Sequence, residues 1–248
     1  VYYLCLKAGF ELEDALDIAW ASQYTDDSPY SNSATKKSVF WPPSRKKFAA
    51  FHFPAPKYVP VKRESIYVGA ALKSAIKGKN KISFGIALHT LADTFSHAGY
   101  SMYWDKRINS RPEEKLFLIE KLDEFFETLH LPIGHGEAGH SVDYPYLHPK
   151  EALEAISSMY DSIIEFAVSY YKNAPKYAEK NEVLLKAAKV ISFPFPMEMR
   201  IEKWLDLIRE DFSSRYVIYY EVIDHSKSKT EKKIFDALAE AQYNILRK

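Results

Sequence analysis

The chain has 248 residues, a length that fits one large domain. Hydrophobic residues make up 47% of it and aromatic residues 15%, which excludes wholesale disorder, and its apolar runs are too short for a transmembrane helix. The 34 Lys and Arg residues nearly balance the 33 Asp and Glu residues, so the net charge of +1 excludes a polyelectrolyte that binds partners by bulk charge.

Apolar residues recur at helical spacing through most of the chain and predict an all-α protein. Weak alternation over Tyr216–Val222 is the only sign of a short strand. Because the sequence has no internal repeat and no low-complexity tract, we predict a single all-α domain over residues 1–248. The predicted helices span residues 2–24 (interrupted near Gly9), 64–79, 81–101, 112–130, 150–172, 175–191, 198–212 and 230–247.

Two long segments separate these helices and predict irregular loops. Residues 25–63 contain six of the 13 prolines and show no stable periodicity. Residues 131–149 are rich in glycine and proline. Connections of this length are uncommon inside a compact domain and usually carry function, so we expect functional side chains in both.

Three chemically active side chains follow one another at intervals of four on the predicted helix 81–101: His89, Asp93 and His97. Because each residue turns a helix by about 100°, all three project from one stripe, with neighbouring Cβ atoms about 5–6 Å apart. The surrounding positions are apolar, so the stripe is expected to be buried and to need partners. The spacing predicts a site for one or two metal ions. The alternative is a helix whose histidines and aspartate are hydrogen-bonded for structure alone.

The second predicted loop places two imidazoles and two carboxylates within nine residues, and one of the carboxylates is Glu137. His135, His140 and Asp143 lie on glycine-rich backbone, which can fold tightly around a cation. A polar surface loop is the alternative interpretation.

Two further groups are candidates on weaker grounds. Asp26 and Asp27 fall at the end of the first helix, where carboxylates oppose the helix dipole unless a cation or a cap compensates. A simple aspartate turn would also explain them. His52 lies between two phenylalanines and is uninformative by itself.

Basic residues are concentrated in the first predicted loop and are interleaved with aromatic side chains. This composition could bind a phosphorylated or nucleic-acid ligand, although a solvated surface explains it more simply. The basic residues are Lys36, Lys37, Arg45, Lys46, Lys47, Lys57, Lys62 and Arg63.

The helix with His89, Asp93 and His97 resembles the signature helix of zinc-dependent phospholipase C-like proteins, an all-α set that includes phospholipases and single-strand-specific nucleases. The order of Ala-Ser-Gln-Tyr-x-Asp-Asp, Phe-His-Phe, the signature helix and Ile-Gly-His-Gly is most similar to an uncharacterised bacterial branch of that set. The resemblance implies an all-α fold of this type, a cluster of two or three zinc ions and hydrolysis of a phosphodiester.

Specific roles are also implied by the resemblance. Asp26 or Asp27 corresponds to an early aspartate that binds zinc and assists the attacking water, and His52 to a loop histidine. His89 and Asp93 would complete a second metal site. His97 would begin a further site, closed by loop residues for which His135, His140 and Asp143 are the candidates.

The sequence departs from the pattern of these relatives in three ways. His97 follows Asp93 by four positions, whereas the phospholipases C and nucleases have six, and Asp143 follows His140 by three positions, whereas the relatives have an acid four positions on. In addition, no histidine precedes His52, although the relatives use one near the N-terminus. One ligand is therefore missing or lies upstream of Val1. These departures keep open an alternative function, a metal-binding all-α protein without hydrolytic activity.

The donor types agree with a metal-dependent hydrolase independently of the resemblance. Imidazole and carboxylate without thiolate favour zinc, with manganese or iron as alternatives. The expected substrate is a phosphorylated small molecule, a phospholipid head group or a nucleic acid, and nothing indicates an obligate protein partner. The single cysteine favours the cytoplasm, while the absence of an initiator Met before Val1 leaves secretion open.

Overall fold

The structure is a computed structural model and describes residues 1–28, 30–31, 42–103, 144–173, 175–192, 194, 196–218, 222, 224 and 226–247. Within these ranges the chain is helical, and its regular elements are α1 (Tyr2–Lys7), α2 (Leu12–Asp27), α3 (Pro42–His52), α4 (Ile66–Gly78), α5 (Lys81–Ser96), α6 (Pro149–Tyr170), α7 (Lys180–Ile191), α8 (Met197–Asp211), a 3-10 turn (Ser214–Tyr216) and α9 (Lys229–Leu246).

The all-α prediction is confirmed. Among the described residues the only β contact is one parallel bridge between Val61 and Ala98, and no strand occurs. Tyr216 belongs to the 3-10 turn, and Val217 and Ile218 are not in a strand, so the strand predicted from Tyr216 is wrong at these positions. None of the described helices combines the length and the hydropathy that crossing a bilayer requires.

The first predicted loop is the main error of the sequence interpretation. Residues 25–27 continue α2 and Pro42–His52 form α3, so Asp26 and His52 are helical, whereas residues 53–63 are irregular as predicted. Pro42 and Pro43 open α3, where the backbone N–H groups have no partner within the helix and proline is therefore tolerated. A high proline content therefore does not show that the whole of this segment is irregular.

Two helix boundaries also differ from the prediction. The predicted helix 81–101 ends at Ser96, which makes His97 the C-terminal capping residue, and the helix predicted from residue 175 begins only at Lys180. The predicted helix 112–130 and most of the second predicted loop lie outside the described residues.

Helix α5 forms the centre of the molecule. The Asn80 side chain caps its first turn by accepting a hydrogen bond from the Ser83 amide at 2.8 Å. Beyond the cap, Phe84, Ile86 and Leu88 are fully buried, and α2, α3, α4, α6 and α9 all pack around this helix. Its chemically active residues therefore face into the protein.

The closest approach to α5 is made by α2 and depends on Gly85. A Cβ atom at Gly85 would lie 2.4 Å from the Ile18 carbonyl oxygen and 2.7 Å from the Ala21 Cβ, which is too close for any side chain. Glycine at this position lets the two backbones touch. This contact lies one turn before His89 on α5 and just over one turn before Asp26 on α2. It therefore fixes the positions of His89 and Asp26 relative to one another.

Candidate metal centre

The ends of α2 and α3 meet the middle of α5 at a cluster of four side chains, which we call the His–Asp cluster: Asp26 from α2, His52 from α3, and His89 and Asp93 from α5. The ligand atoms of Asp26, His52 and His89 all lie within 4.8 Å of one another. The structure thus brings together four of the nine residues predicted as metal ligands.

The nitrogen and oxygen atoms of the cluster lie close to one another. His89 Nε2 is 3.3 Å from His52 Nδ1, 3.4 Å from Asp93 Oδ2 and 3.5 Å from Asp26 Oδ1. His52 Nδ1 is 2.7 Å from Asp93 Oδ2 and 3.8 Å from Asp26 Oδ1. Five distances between 2.7 and 3.8 Å therefore connect these four atoms.

These separations fit a zinc ion. Nitrogen and oxygen ligands lie about 2.0–2.2 Å from zinc, so the corners of a tetrahedral site are about 3.3–3.6 Å apart. Three of the five distances are within about 0.1 Å of that range, the distance from Asp26 to His52 is slightly longer, and the distance from His52 to Asp93 is that of a hydrogen bond. The donor set of two imidazoles and two carboxylates is also one that zinc accepts.

Burial makes the cluster electrostatically strong. Desolvation alone would lower the pKa of His89, but the carboxylates of Asp93 and Asp26 outweigh it and raise the pKa to about 9. Burial would conversely raise the pKa of Asp93, yet His89, His97 and a hydrogen bond with His52 hold it well below its usual range. The carboxylates of Asp26 and Asp93 thus stabilise a positive charge inside the cluster. That charge is either a proton on His89 or a metal cation in its place.

The backbone orients two of the imidazoles. A hydrogen bond links the His89 ring to the backbone carbonyl of Ser22, one turn before Asp26 on α2. His97 Nδ1 lies 2.6 Å from the His52 carbonyl oxygen, and the His97 ring stacks on Phe53 with centroids 4.3 Å apart. Hydrogen bonds of this kind commonly fix the tautomer of histidines that bind metals. Ser22 therefore acts through its backbone, which no side-chain motif could indicate.

His97 lies beside the cluster instead of inside it. Its Nδ1 is 3.9 Å from Asp93 Oδ2, and that same nitrogen makes the hydrogen bond to the backbone of His52. The role predicted for His97, the start of a further metal site, requires the loop with His135, His140 and Asp143. Those three residues lie outside the described residues.

Asp26 and Asp27, which the sequence left as alternatives, face different neighbours. Asp26 approaches both ring nitrogens of the cluster, whereas Asp27 is exposed and contributes, after burial and the carboxylates of Asp236 and Asp224, to raising the pKa of Tyr24. The geometry therefore selects Asp26 as the candidate ligand.

Among the described residues, solvent reaches the cluster mainly at Asp26. The side chains of His52 and His89 are 4% and 11% exposed and that of Asp93 is 17% exposed, but that of Asp26 is 43% exposed. In the described part of the chain His52 Nε2 has no hydrogen-bond partner, and the His52 ring lies against Phe48 at a centroid distance of 4.6 Å. Access from solvent is therefore along Asp26.

The fold and this cluster define an all-α protein with a buried histidine–aspartate site at the ends of α2 and α3. Residues 48–245 match a family of unknown function, DUF6765, and since the match covers most of the sequence, the chain belongs to that family. The matched residues include His52, His89 and Asp93, while Asp26 precedes them. No curated protein and no solved structure matches the chain significantly.

Proposed function

We propose that the protein is a metal-dependent phosphodiester hydrolase whose cation is held by Asp26, His52, His89 and Asp93. The observation that carries this proposal is the closeness of these four side chains, because the three distances from His89 Nε2, which are 3.3, 3.4 and 3.5 Å, are those of a compact site with nitrogen and oxygen donors. The resemblance of the surrounding motifs to zinc-dependent phospholipase C-like proteins supports the phosphodiester as the substrate class.

Zinc is the cation that this donor set favours, with manganese and iron as the alternatives. When bound, zinc supplies a Lewis acid for a phosphoryl oxygen and activates water at neutral pH. A second or third ion, as in the resembling proteins, would need His97 together with His135, His140 and Asp143.

The residues of the chain would divide the remaining work. His52, His89 and Asp93 are mostly buried and hold fixed positions, whereas Asp26 reaches solvent and is placed to take a proton from an attacking water. The hydrogen bond between the Ser22 backbone and the His89 ring would help to orient this imidazole in the cluster. A small-molecule phosphodiester, a phospholipid through the linkage to its head group and a nucleic acid all present the required bond.

Hydrolysis of bis(p-nitrophenyl) phosphate by the protein reconstituted with zinc tests this proposal. We expect zinc-dependent release of nitrophenolate, and we expect His89→Gln to lower kcat/KM by at least about 100-fold because it removes a ligand. His148→Gln is the matched control, since His148 precedes α6 outside the cluster and its loss should leave the rate unchanged.

The same experiment decides between the two functions that the sequence left open. Zinc-dependent turnover that His89→Gln abolishes supports the hydrolase. Zinc bound at the cluster without turnover on diester, lipid or nucleic-acid substrates would instead identify a metal-binding protein without hydrolytic activity.

A further inference from the structure

A second concave site lies between α3, the segment after it, α4 and the end of α9. Its volume is about 450 Å³, within the range of pockets that bind small molecules. On α3 it is lined by Lys46, Ala49 and Ala50, which recur at helical spacing on one face. His52 is not among the lining residues, so the pocket, which we call the tyrosine pocket, is separate from the His–Asp cluster.

The interior of the tyrosine pocket is apolar and aromatic. Ala50 and Leu246 are buried and form its floor, and Tyr67, Tyr103 and Tyr243 are half-buried around it. Three aromatic rings from three separate segments provide surfaces on which a flat, apolar group can stack. The interior therefore suits the body of an aromatic ligand better than a bare inorganic ion.

The rim of the pocket is cationic. Lys46, Lys57 and Arg247 line it and are exposed, and no carboxylate is among the lining residues that the structure describes. Lys57 Nζ lies 5.0 Å from the centre of the Tyr103 ring, and the Arg247 guanidinium lies 5.4 Å from that of Tyr243. The positive charges are thus held directly over the aromatic walls.

These three cations have no carboxylate partner within 4 Å in the described part of the chain, unlike their neighbour Lys47. Lys47 Nζ is 3.6 Å from Glu240 Oε2, and the Tyr30 hydroxyl also donates to that carboxylate. The negative charge of Glu240 also acts on Arg247, but the Glu240 carboxylate is already bound by Lys47 and the Tyr30 hydroxyl. The rim keeps positive charge that an anionic ligand can neutralise.

We propose that the tyrosine pocket binds a small aromatic phosphate of the nucleoside monophosphate kind, with the base on the tyrosines and the phosphate at Lys46, Lys57 and Arg247. Two lysines and an arginine carry more than enough positive charge to neutralise a phosphate dianion, and the arginine can bind it through two hydrogen bonds. Base stacking on aromatic rings tolerates different bases, so the phosphate and the flat ring system define the ligand class. The site is distinct from the proposed hydrolytic centre and does not depend on its activity.

Isothermal titration of the full chain with AMP, inorganic phosphate and adenosine tests the proposal. We expect AMP to bind with one-to-one stoichiometry and a Kd below about 1 mM, at least about 10-fold more tightly than phosphate or adenosine. The double variant Lys57→Gln/Arg247→Gln should weaken AMP binding at least about 10-fold. Lys73→Gln removes the same kind of charge from an exposed position on α4 outside the pocket and should leave the affinity unchanged.

Asp26→Asn separates this proposal from the hydrolase. If AMP occupies the tyrosine pocket, Asp26→Asn leaves its affinity unchanged, whatever that variant does to metal binding or turnover. The proposal is overturned if AMP does not bind below about 1 mM, if phosphate or adenosine binds as tightly as AMP, or if Asp26→Asn abolishes AMP binding. The variants replace exposed side chains, so unchanged thermal unfolding midpoints verify that the fold is intact.

Discussion

At the scale of single residues, Asp26 and Asp27 show that adjacent carboxylates on one helix can face different neighbours. They are neighbours at the end of α2, about 100° apart around its axis. Asp26 approaches two imidazoles, and Asp27 is exposed on the side of Tyr24. Of these two carboxylates, Asp26 is the one that lies 3.8 Å from His52 Nδ1 and 3.5 Å from His89 Nε2.

This difference predicts the zinc affinities of two isosteric variants. Asp26→Asn should weaken zinc binding at least about 100-fold, because the loss of even an outer partner typically costs about 10–100-fold. Asp27→Asn should bind zinc as the wild type does. Competition with a chelating dye measures both affinities, and equal weakening by the two substitutions would contradict the assignment of Asp26.

The residues of the cluster were predictable to different degrees. The spacing of His89 and Asp93 placed both on one face of a helix, and their contact is observed. His52 entered only through the resemblance, because its partners are distant in the chain. The choice between Asp26 and Asp27 depends on how α2 is rotated against α5. A tertiary contact between the two helices sets that rotation, and the spacing of residues along one helix gives no information about it.

At the scale of elements, that tertiary contact is the approach of α2 to α5 at Gly85. Gly85→Ala would gain about 1 kcal/mol of helix propensity, but the new methyl group would meet the Ile18 carbonyl at 2.4 Å, and overpacking of this kind costs about 1–3 kcal/mol or more. Since the obstacle is backbone, we expect a net loss of about 1–2 kcal/mol in the free energy of unfolding. Zinc affinity should fall with it, because Asp26 moves away from His89.

Gly69→Ala is the matched control for this prediction. Gly69 lies inside α4 with nothing within 4 Å of an added Cβ, so the same substitution should stabilise the protein by about 0.5–1 kcal/mol. Urea denaturation of both variants measures the difference. Equal stabilisation by the two substitutions would show that the helices are not held together at Gly85.

The elements themselves were predictable where local signals agreed. The core helices α4, α6 and α9 carry regular apolar spacing and are predicted close to their observed bounds, whereas α5 is predicted with the correct start but extends too far beyond Ser96. Helix α3 was missed because its prolines stand in the first turn, where they are tolerated, while its length of 11 residues gave little periodicity. Helix ends such as Ser96 depend on what the next residues contact, which is again tertiary information.

At the scale of the whole molecule, a buried carboxylate joins the first helix to the C-terminal half. Asp211 ends α8 and accepts hydrogen bonds from the Tyr3 hydroxyl at 2.8 Å and from Lys7 Nζ at 3.2 Å, and it also pairs with Lys186 of α7. Burial would raise the pKa of Asp211, but these donors outweigh it and lower the pKa below its ordinary value. They also compensate the unfavourable end of the α8 dipole.

The lowered pKa of Asp211 predicts how stability changes with pH. A carboxyl group whose pKa is lower in the folded state stabilises the fold above its unfolded pKa of about 3.9, and this contribution is lost as the pH falls through the folded value. Asp211→Asn should cost about 2–3 kcal/mol at pH 7 and should flatten the decline in stability below about pH 4.

Asp161→Asn provides the comparison for Asp211. Asp161 pairs with Lys180, but its side chain is 60% exposed, so its loss should change stability by less than about 1 kcal/mol and leave the pH profile as it is. Thermal unfolding of the wild type, Asp211→Asn and Asp161→Asn between about pH 2 and 7 measures how the stability of each depends on pH. An unchanged acid limb in Asp211→Asn would contradict the assignment.

The central claim, that Asp26, His52, His89 and Asp93 form a zinc site, is tested most directly by the zinc content of the purified protein together with its X-ray absorption spectrum. We predict at least one tightly bound zinc per chain, with nitrogen and oxygen neighbours at about 2.0–2.2 Å, imidazole scattering and no sulfur. A chain that takes up no zinc at micromolar concentration, or whose zinc content is unchanged when His89 is replaced by glutamine, would contradict it.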